Sequence, residues 1–438
     1  MRLHDKLTTL DKYPFHMPGH KRNAKFGIAG SEIDITEIDG FDNLHAPCGV
    51  IADIESRLKG IYKSKRSFIS VNGSTAGILA GIHAVCNKGD TVIVAKNCHK
   101  SVFNACMLLE LKIRYIEPEF DYTNGYYTSI SQRTVDEALK DVENARALII
   151  TSPTYEGFIS RIKCDIPIIT DAAHGAHLGL GYFPEYPKSD IVISSLHKTL
   201  PSLTQTAVVN VYNEKYINGV KRYMDIFQTT SPSYVLMNSI DLCCEYIENN
   251  PLEFGLFYEK LCDLRLAETN NLRIQYTDDI SKIVLSCANT DISGVELAEK
   301  FRKEYNIEPE YASERYVLFI ATVGDTQEGL ASLKAAIEKI DEELLSTYCE
   351  ILKKPPVTSD ITQICISNEY EACNLSDSIG KISNEFVFAY PPGIPIIAPN
   401  EVITRNAVEY ISLAREKGVN ILSDSGEVPN KILTKKAL

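Results

Sequence analysis

The sequence predicts an α/β fold with a mostly parallel, doubly wound sheet. Short apolar and β-branched runs, typical of buried parallel strands, recur at 67–71, 91–95, 112–116, 147–151, 167–170, 190–194 and 207–211. Segments with helical apolar spacing alternate with them at 50–62, 76–85, 134–139 and 235–246. Because strands that alternate with helices pair in parallel, we expect a ligand site at the carboxyl ends of the strands.

The chain of 438 residues is long enough for more than one domain. We predict an N-terminal arm over residues 1–45. A large domain that carries the parallel sheet is predicted over residues 46–250. A polar turn, Asn249-Asn250-Pro251, marks the predicted boundary. Residues 251–438 predict a smaller α+β C-terminal region, with strands at 282–287 and 316–322 and helices at 295–305 and 329–345. A rigid turn is expected at 390–395, where three prolines and a glycine follow Tyr390.

Composition limits the class of partner and the compartment. The net charge of −13 argues against nucleic acid and anionic membranes as partners, because both require basic patches. The N-terminus lacks the apolar core of a signal peptide, and no apolar run approaches the roughly 18 residues of a membrane span. The 12 cysteines form no CxxC pair, which favours free thiols in a reducing cytoplasm.

Two charged residues near strand ends suggest the chemistry. Asp171 ends one predicted strand and Lys198 follows the next, so the two side chains could face one crevice. A lysine amine forms a Schiff base with the aldehyde of pyridoxal phosphate (PLP), and an aspartate stabilises its protonated pyridine nitrogen. The alternative is that Asp171 caps a helix and Lys198 is a solvated surface residue, as most charged residues are.

A glycine-containing loop at the start of a helix predicts the phosphate site. Ser74, Thr75 and Ala76 lie where the strand at 67–71 gives way to a helix, and free backbone N–H groups at a helix N-terminus attract anions. The alternative is that Ser74 only caps the helix. His174 and His177 are spaced like a metal pair, but no third ligand is apparent, so we expect no metal.

Long sequence blocks carry a more specific resemblance. DAAHGAHLG at 171–179 and SSLHKTLPSLTQTA at 194–207 closely resemble the fold type I, PLP-dependent family of ornithine, lysine and arginine decarboxylases. Further blocks in the family's order are MPGHKRN at 17–23, DITEIDGFDNLHAP at 34–47, VNGSTAG at 71–77, KNCHKSVFNA at 96–105, SPTYEG at 152–157, TTSPSY at 229–234 and YPPGIPIIAPNE at 390–401. The resemblance therefore spans almost the whole chain.

The resemblance implies roles for residues in these blocks. His99 resembles the histidine that stacks on the pyridine ring, and His174 is expected near the ring or its 3-hydroxyl group. Ser195 is expected to reach the phosphate. His197 resembles a position near the phosphate or the substrate, and it is also a candidate proton donor because imidazole titrates near neutrality.

The resemblance also implies an assembly. Thr230 and Ser231 resemble the residues that complete the phosphate site of the partner subunit, so we expect a homodimer with shared active sites; further assembly stays open. The alternative is that this loop only caps the following helix. The chain is too short to include the N-terminal receiver-like domain of the large inducible decarboxylases, so a short form of the family is expected.

The expected function is decarboxylation of arginine, lysine or ornithine to the corresponding amine, as in polyamine biosynthesis. Two alternatives remain open: another PLP reaction such as transamination, and a non-catalytic binding protein of the same fold. The chain departs from the commoner family pattern at Ala172-Ala173, Asn43 and Ala46-Pro47-Cys48. These departures bear on the residues behind the site and on the choice of substrate, and they leave Asp171 and Lys198 intact.

Overall fold

The computed structural model describes residues 2–348, 352, 354, 355, 357, 361–389, 393–426 and 430–436. Residues 390–392 of the turn predicted at 390–395 lie outside these residues, and 394 and 395 belong to a strand, Ile394–Ile397. The helices within them are α1 Leu3–Thr8, α2 Val50–Tyr62, α3 Gly73–Val85, α4 Lys100–Leu108, α5 Gln132–Asp141, α6 Leu196–Thr199, α7 Ile217–Phe227, α8 Tyr234–Asn249, α9 Glu253–Leu264, α10 Gly294–Tyr305, α11 Gln327–Glu343 and α12 Arg405–Glu416, with 3₁₀ turns at Ala24–Phe26, Glu214–Tyr216 and Leu375–Ser378.

The strands are mostly short and buried. They are β1 Arg66–Ser70, β2 Thr91–Ala95, β3 Lys112–Ile116, β4 Phe120–Asp121, β5 Tyr126–Tyr127, β6 Leu148–Thr151, β7 Ile168–Asp171, β8 Ile191–Ser195, β9 Ala207–Val211, β10 Arg273–Ile274, β11 Lys282–Ser286, β12 Tyr311–Ala312, β13 Tyr316–Ile320, β14 Thr362–Gln363, β15 Tyr370–Asn374, β16 Val387–Ala389, β17 Ile394–Ile397, β18 Ile421–Ser423 and β19 Lys431–Lys435.

The large sheet has the order β1-β9-β8-β7-β6-β2-β3-β14. The five strands from β8 to β3 pair in parallel, whereas β9 runs antiparallel to both β1 and β8 and β14 antiparallel to β3. The mostly parallel sheet predicted from the sequence is therefore confirmed. Its parallel strands end at one edge, where the loops that follow β2, β6, β7 and β8 converge.

Helix starts differ from the predicted ones where a side chain caps the helix. Helix α5 begins at 132 rather than 134, because the Ser131 hydroxyl accepts a hydrogen bond from the backbone N–H of Thr134 at 3.2 Å. Ser233 likewise accepts from Leu236 at 3.3 Å and starts α8 at 234. Such caps satisfy donors that the first turn of a helix leaves free.

Close packing holds α3 against the centre of the large sheet. A Cβ atom at Gly77 would lie 2.6 Å from a methyl group of Val209 and 2.9 Å from one of Ile193, distances that no side chain tolerates. The absence of a side chain at Gly77 therefore lets α3 lie directly on β8 and β9. As a result, the N-terminus of α3 is held beside the end of β8.

The second half of the chain forms smaller sheets. An antiparallel sheet of order β10-β11-β13-β12 packs with α9, α10 and α11 around one apolar cluster. The strands β17-β16-β18, the pair β15-β19 and α12 form a last unit. Because β14 returns to the edge of the large sheet, the domain boundary near residue 250 stays a prediction. None of the helices in the described part of the chain combines the length and apolar character that crossing a bilayer requires.

Candidate active site

A cavity lies at the carboxyl edge of the large sheet, where doubly wound sheets bind ligands. The predicted site residues Ser74, His99, Asp171, His174 and Lys198 all line it. They come from the ends of four strands or the turns just after them, so the parallel arrangement explains why residues more than 100 positions apart in sequence meet.

Lys198 lies in the one-turn helix α6, directly after β8. Its Nζ is 2.8 Å from Nε2 of His174, and it forms no ion pair with any residue that the structure describes. Burial lowers the pKa of Lys198, which increases the fraction of neutral amine. A neutral amine is the form that attacks a carbonyl carbon.

His174 is a neutral imidazole at neutral pH, because burial and then the charges of Lys198 and Lys282 lower its pKa well below the usual value. When Nε2 accepts a hydrogen bond from the lysine amine, the ring proton is on Nδ1. Nδ1 is buried and has no hydrogen-bond partner among the described residues. The His174 ring also packs against the ring of Tyr155 in a T-shaped arrangement, with the ring centroids 4.8 Å apart.

Asp171 is the last residue of β7 and is only 3% exposed. One of its carboxylate oxygens accepts a hydrogen bond from the backbone N–H of Ala173 at 3.1 Å. Burial raises the pKa of Asp171, and the nearby His99 opposes that shift. Since a buried carboxylate is costly without a positive partner, Asp171 is suited to hold a protonated ring nitrogen.

His99 caps α4 with its own side chain. Its Nδ1 accepts a hydrogen bond from the backbone N–H of Ser101 at 3.2 Å and one from the Ser101 hydroxyl at 2.8 Å. Burial lowers the pKa of His99. These two contacts fix the plane of the imidazole, as a residue that stacks on a cofactor ring requires.

The N-terminus of α3 supplies the predicted phosphate site. Ser195 and Ser70, the last residues of β8 and β1, both pair with Ala207 of β9. This register brings the Ser195 hydroxyl within 3.0 Å of the Ser74 hydroxyl, to which it donates. The cap position belongs to Asn72, so the alternative that Ser74 caps the helix is wrong.

The other residues predicted to bind the phosphate lie in the first turn of α3 and in the loop that carries Thr230 and Ser231. Thr75 is exposed and Ala76 is buried, both in the first turn of α3. The loop that carries Thr230 and Ser231 lies beside the same helix end, where the backbone N–H of Thr229 donates to the side-chain oxygen of Asn72 at 3.1 Å. Both residues are exposed in the single chain, so their contact with a partner subunit stays a prediction.

Two of the histidines singled out in the sequence are not among the described residues that line the cavity. Nδ1 of His197 donates to the carbonyl of Thr206 at 2.9 Å, and His197 is not among the described residues that line the cavity. Its role near phosphate or substrate stays a prediction. His177 is buried, and its Nε2 lies 3.0 Å from a carboxylate oxygen of Asp279. The two histidines of the apparent metal pair therefore bind different partners.

Sequence reasoning missed several residues of the site. The buried ammonium of Lys282 contacts Asp279 at 2.7 Å and the backbone carbonyl of His174 at 3.0 Å, so this ion pair holds the His174 backbone from behind. A lysine that opens an apolar strand three residues after an aspartate was the available signal. Glu156 and Tyr155 also line the cavity and lie inside the SPTYEG block.

The residues present fit pyridoxal phosphate. The buried Nδ1 of His174 and the buried side-chain oxygen of Asn97 have no partners within the described part of the chain, and both residues line the cavity. Buried polar atoms in folded proteins are nearly always paired, so the cavity is suited to a polar ligand. Lys198 offers an amine for the aldehyde, Asp171 a carboxylate for the ring nitrogen, and α3 a helix N-terminus for the phosphate.

Comparison with known proteins identifies the family. Residues 5–255 match the family described as Orn/Lys/Arg decarboxylase, major domain, and residues 342–421 match Orn/Lys/Arg decarboxylase, C-terminal domain. A protein of Bacillus subtilis (strain 168) named YaaO is 31% identical, over 92% of this chain and 91% of its own length. The arginine decarboxylase of Bacillus anthracis is 28% identical, over 93% of this chain and 91% of its own length.

The fold resembles that of a solved structure over almost the whole chain. The crystal structure of the Francisella novicida lysine decarboxylase LdcF superposes with a TM-score of 0.78 over 99% of this chain and 81% of that chain. At 16% sequence identity, this structural likeness shows the fold alone. It confirms the predicted fold type I architecture. The family match over more than half of the sequence, with the 31% identical relative, shows that the chain belongs to the Orn/Lys/Arg decarboxylase family of pyridoxal phosphate-dependent enzymes.

Proposed function

We propose that this enzyme removes the carboxylate of a basic amino acid, arginine, lysine or ornithine, and releases the corresponding amine. The observation that carries the proposal is the position of Lys198, a half-buried lysine with no acidic partner at ion-pair distance in the described chain, in the same cavity as Asp171. The names of the relatives support the substrate class, since they include both arginine and lysine decarboxylases.

Each residue has a proposed role in that reaction. Bound pyridoxal phosphate supplies a ring that accepts the electrons of the broken bond. Lys198 binds the cofactor aldehyde through its amine, and Asp171 holds the proton on the ring nitrogen. His99 stacks on the ring and fixes its plane. Ser74 and Ser195, with Thr75 and Ala76 in the same turn, bind the phosphate at the start of α3.

Proton return to the substrate's α-carbon is the second task of the site. Lys198 is the proposed donor, because its Nζ reaches the cavity and burial lowers its pKa towards neutrality. General acids work best when their pKa is near the operating pH. The neutral His174 holds the amine from one side at 2.8 Å, and it keeps Lys198 directed into the cavity.

We propose a homodimer whose partner subunit supplies Thr230 and Ser231. The N-terminal arm supports this assembly, because it exposes a run of large apolar side chains, of which Phe15 is 91% exposed. The others are Tyr13, Met17, Phe26 and Ile28. The rings of Tyr13 and Phe15 pack together with their centroids 5.1 Å apart, and large exposed apolar patches mark protein interfaces. The eleven described cysteines are free thiols, which suits a cytoplasmic enzyme of amine metabolism.

Release of CO₂ from holoenzyme offered arginine, lysine and ornithine separately tests the proposed function. We expect release from one or more of them, with the matching amine in equal amount. Formation of a keto acid and pyridoxamine phosphate without CO₂ would contradict the proposal, since the site would then be transferring an amino group.

A further inference from the structure

Most buried acids in the described part of the chain are compensated by a cation or by backbone hydrogen bonds. Seven acidic side chains are buried within the residues that the structure describes. Glu55, Asp241 and Asp279 each pair with an arginine or lysine. Asp341 accepts three hydrogen bonds from backbone N–H groups and Glu385 accepts two. Burying a carboxylate is costly, so such compensation is expected.

The remaining two buried acids are Asp171 and Glu156, and both line the cavity. Asp171 is assigned to the cofactor's ring nitrogen. Glu156 is 8% exposed and has no ion-pair partner among the described residues; the hydroxyl of Tyr316 donates to its Oε1 at 2.9 Å. Burial raises the pKa of Glu156 to about 7, although hydrogen bonds from Tyr316 and Thr154 lower it. Glu156 is therefore a second buried acid of this cavity that no described cation pairs with.

Aromatic rings surround the Glu156 carboxylate. Tyr126, Tyr155, Tyr311 and Tyr316 line the same cavity. The rings of Tyr126 and Tyr316 are 5.2 Å apart, and those of Tyr155 and Tyr311 are 5.9 Å apart. Tyrosine faces attract ammonium and guanidinium groups, and their edges pack against hydrocarbon chains. We call Glu156 and these four tyrosines the acidic cage.

The acidic cage is continuous with the reacting end of the cavity. Tyr155, the residue before Glu156, contacts the His174 ring, and that ring contacts Nζ of Lys198. One wall therefore runs from the proposed cofactor lysine to the unpaired carboxylate. A basic amino acid has the same layout: an α-amino group at one end, a hydrocarbon chain, and a cation at the other end.

We infer that Glu156 binds the distal cation of the substrate, while the tyrosines of the acidic cage enclose the cation and its hydrocarbon chain. The inference rests on the proposed function and adds the residue that selects basic amino acids over neutral ones. Glu156 is a specificity residue in this account; it takes no part in breaking the bond to the carboxylate.

The test compares the wild-type holoenzyme with two variants, Glu156→Gln and Glu310→Gln. Glutamine keeps the shape and an acceptor for Tyr316 while removing the charge. Glu310 is the matched control, since it is an exposed carboxylate that accepts a hydrogen bond from the Tyr155 hydroxyl at 2.7 Å. KM and kcat are measured with the basic amino acid that the wild type turns over fastest. The visible absorbance of the bound cofactor verifies that each variant is loaded.

We expect Glu156→Gln to raise KM by about 30-fold or more, because removing one member of a buried charge pair costs several kcal/mol and 1.4 kcal/mol is a factor of ten. We expect kcat to stay within a few-fold, and Glu310→Gln to leave both constants near the wild-type values. A binding readout without turnover is calorimetric titration of the holoenzyme with the amine product. That amine keeps the distal cation, so its affinity should fall in parallel.

An unchanged KM in Glu156→Gln, or a KM increase in Glu310→Gln instead, would overturn the inference. Glu156→Asp provides a second variant that retains the charge one methylene further away, and it should lose less affinity than the glutamine variant. Failure of the proposed function can be distinguished from failure of this inference, because the wild type itself would then release no CO₂ from any basic amino acid.

Discussion

Replacement of Lys198 by alanine is expected to abolish decarboxylation, with a fall in kcat of about 10⁴-fold or more. The variant loses both the amine that binds the cofactor aldehyde and the proposed proton donor to the α-carbon. Nearby lysines cannot substitute. Lys96 and Lys282 are each held by an acid, at 3.5 Å from Glu401 and 2.7 Å from Asp279 respectively. CO₂ release and the visible absorbance of the protein measure the effect.

Lys163→Ala is the matched control for this prediction. The Lys163 side chain is exposed and does not line the cavity, so CO₂ release should equal that of the wild type. Normal turnover by Lys198→Ala would eliminate the proposed role of this lysine, and with it the assignment of the proton donor.

Asp279→Ala is expected to destabilise the protein by about 3–5 kcal/mol, because it leaves the Lys282 ammonium buried without its counterion. Both side chains are fully buried, and the same carboxylate also binds His177. Burial alone would raise the pKa of Asp279, but the charges of His177 and Lys282 lower it below the usual range. Its stabilising contribution is therefore complete above the unfolded pKa of about 3.9 and is lost as pH falls below that value.

Thermal unfolding at neutral pH, followed by circular dichroism, measures this cost as a fall in Tm. Glu185→Ala is the control, because the Lys63–Glu185 pair is 78% and 79% exposed and such surface pairs contribute about 1 kcal/mol or less. Combining Asp279→Ala with Lys282→Met should recover part of the loss, since the double variant no longer buries an unpaired charge. A Tm equal to that of the wild type in Asp279→Ala would contradict a structural role for the pair.

Local sequence patterns predicted the large sheet well. The runs at 91–95, 112–116 and 207–211 match β2, β3 and β9 residue for residue. Those of β2 and β9 are nearly continuous apolar runs, because both strands lie inside the sheet and are covered on both faces. The same patterns placed Asp171 and Lys198 at strand ends on one edge of the sheet. Resemblance to a family, rather than periodicity, gave these residues their expected roles.

Contacts between distant parts of the chain were not predictable in this way. Tyr316 and Glu156 are 160 positions apart, and His177 and Asp279 are 102 apart. Each pair joins the large sheet to the smaller antiparallel unit, and side-chain contacts of this kind depend on how the two units pack. The contact between Lys198 and His174 joins two neighbouring strand ends, yet its geometry depends on the short helix α6. Spacing along the chain carries no signal for any of them.

Borohydride reduction of the holoenzyme, followed by mass spectrometry of its peptides, tests directly whether Lys198 is the lysine that binds the cofactor. Reduction makes the bond between the cofactor and its lysine permanent, so the modified residue can be identified. We expect the label on Lys198, the lysine of this region whose amine contacts a neutral imidazole rather than an acid. A label on Lys96 or Lys282, with Lys198 unmodified, would contradict it.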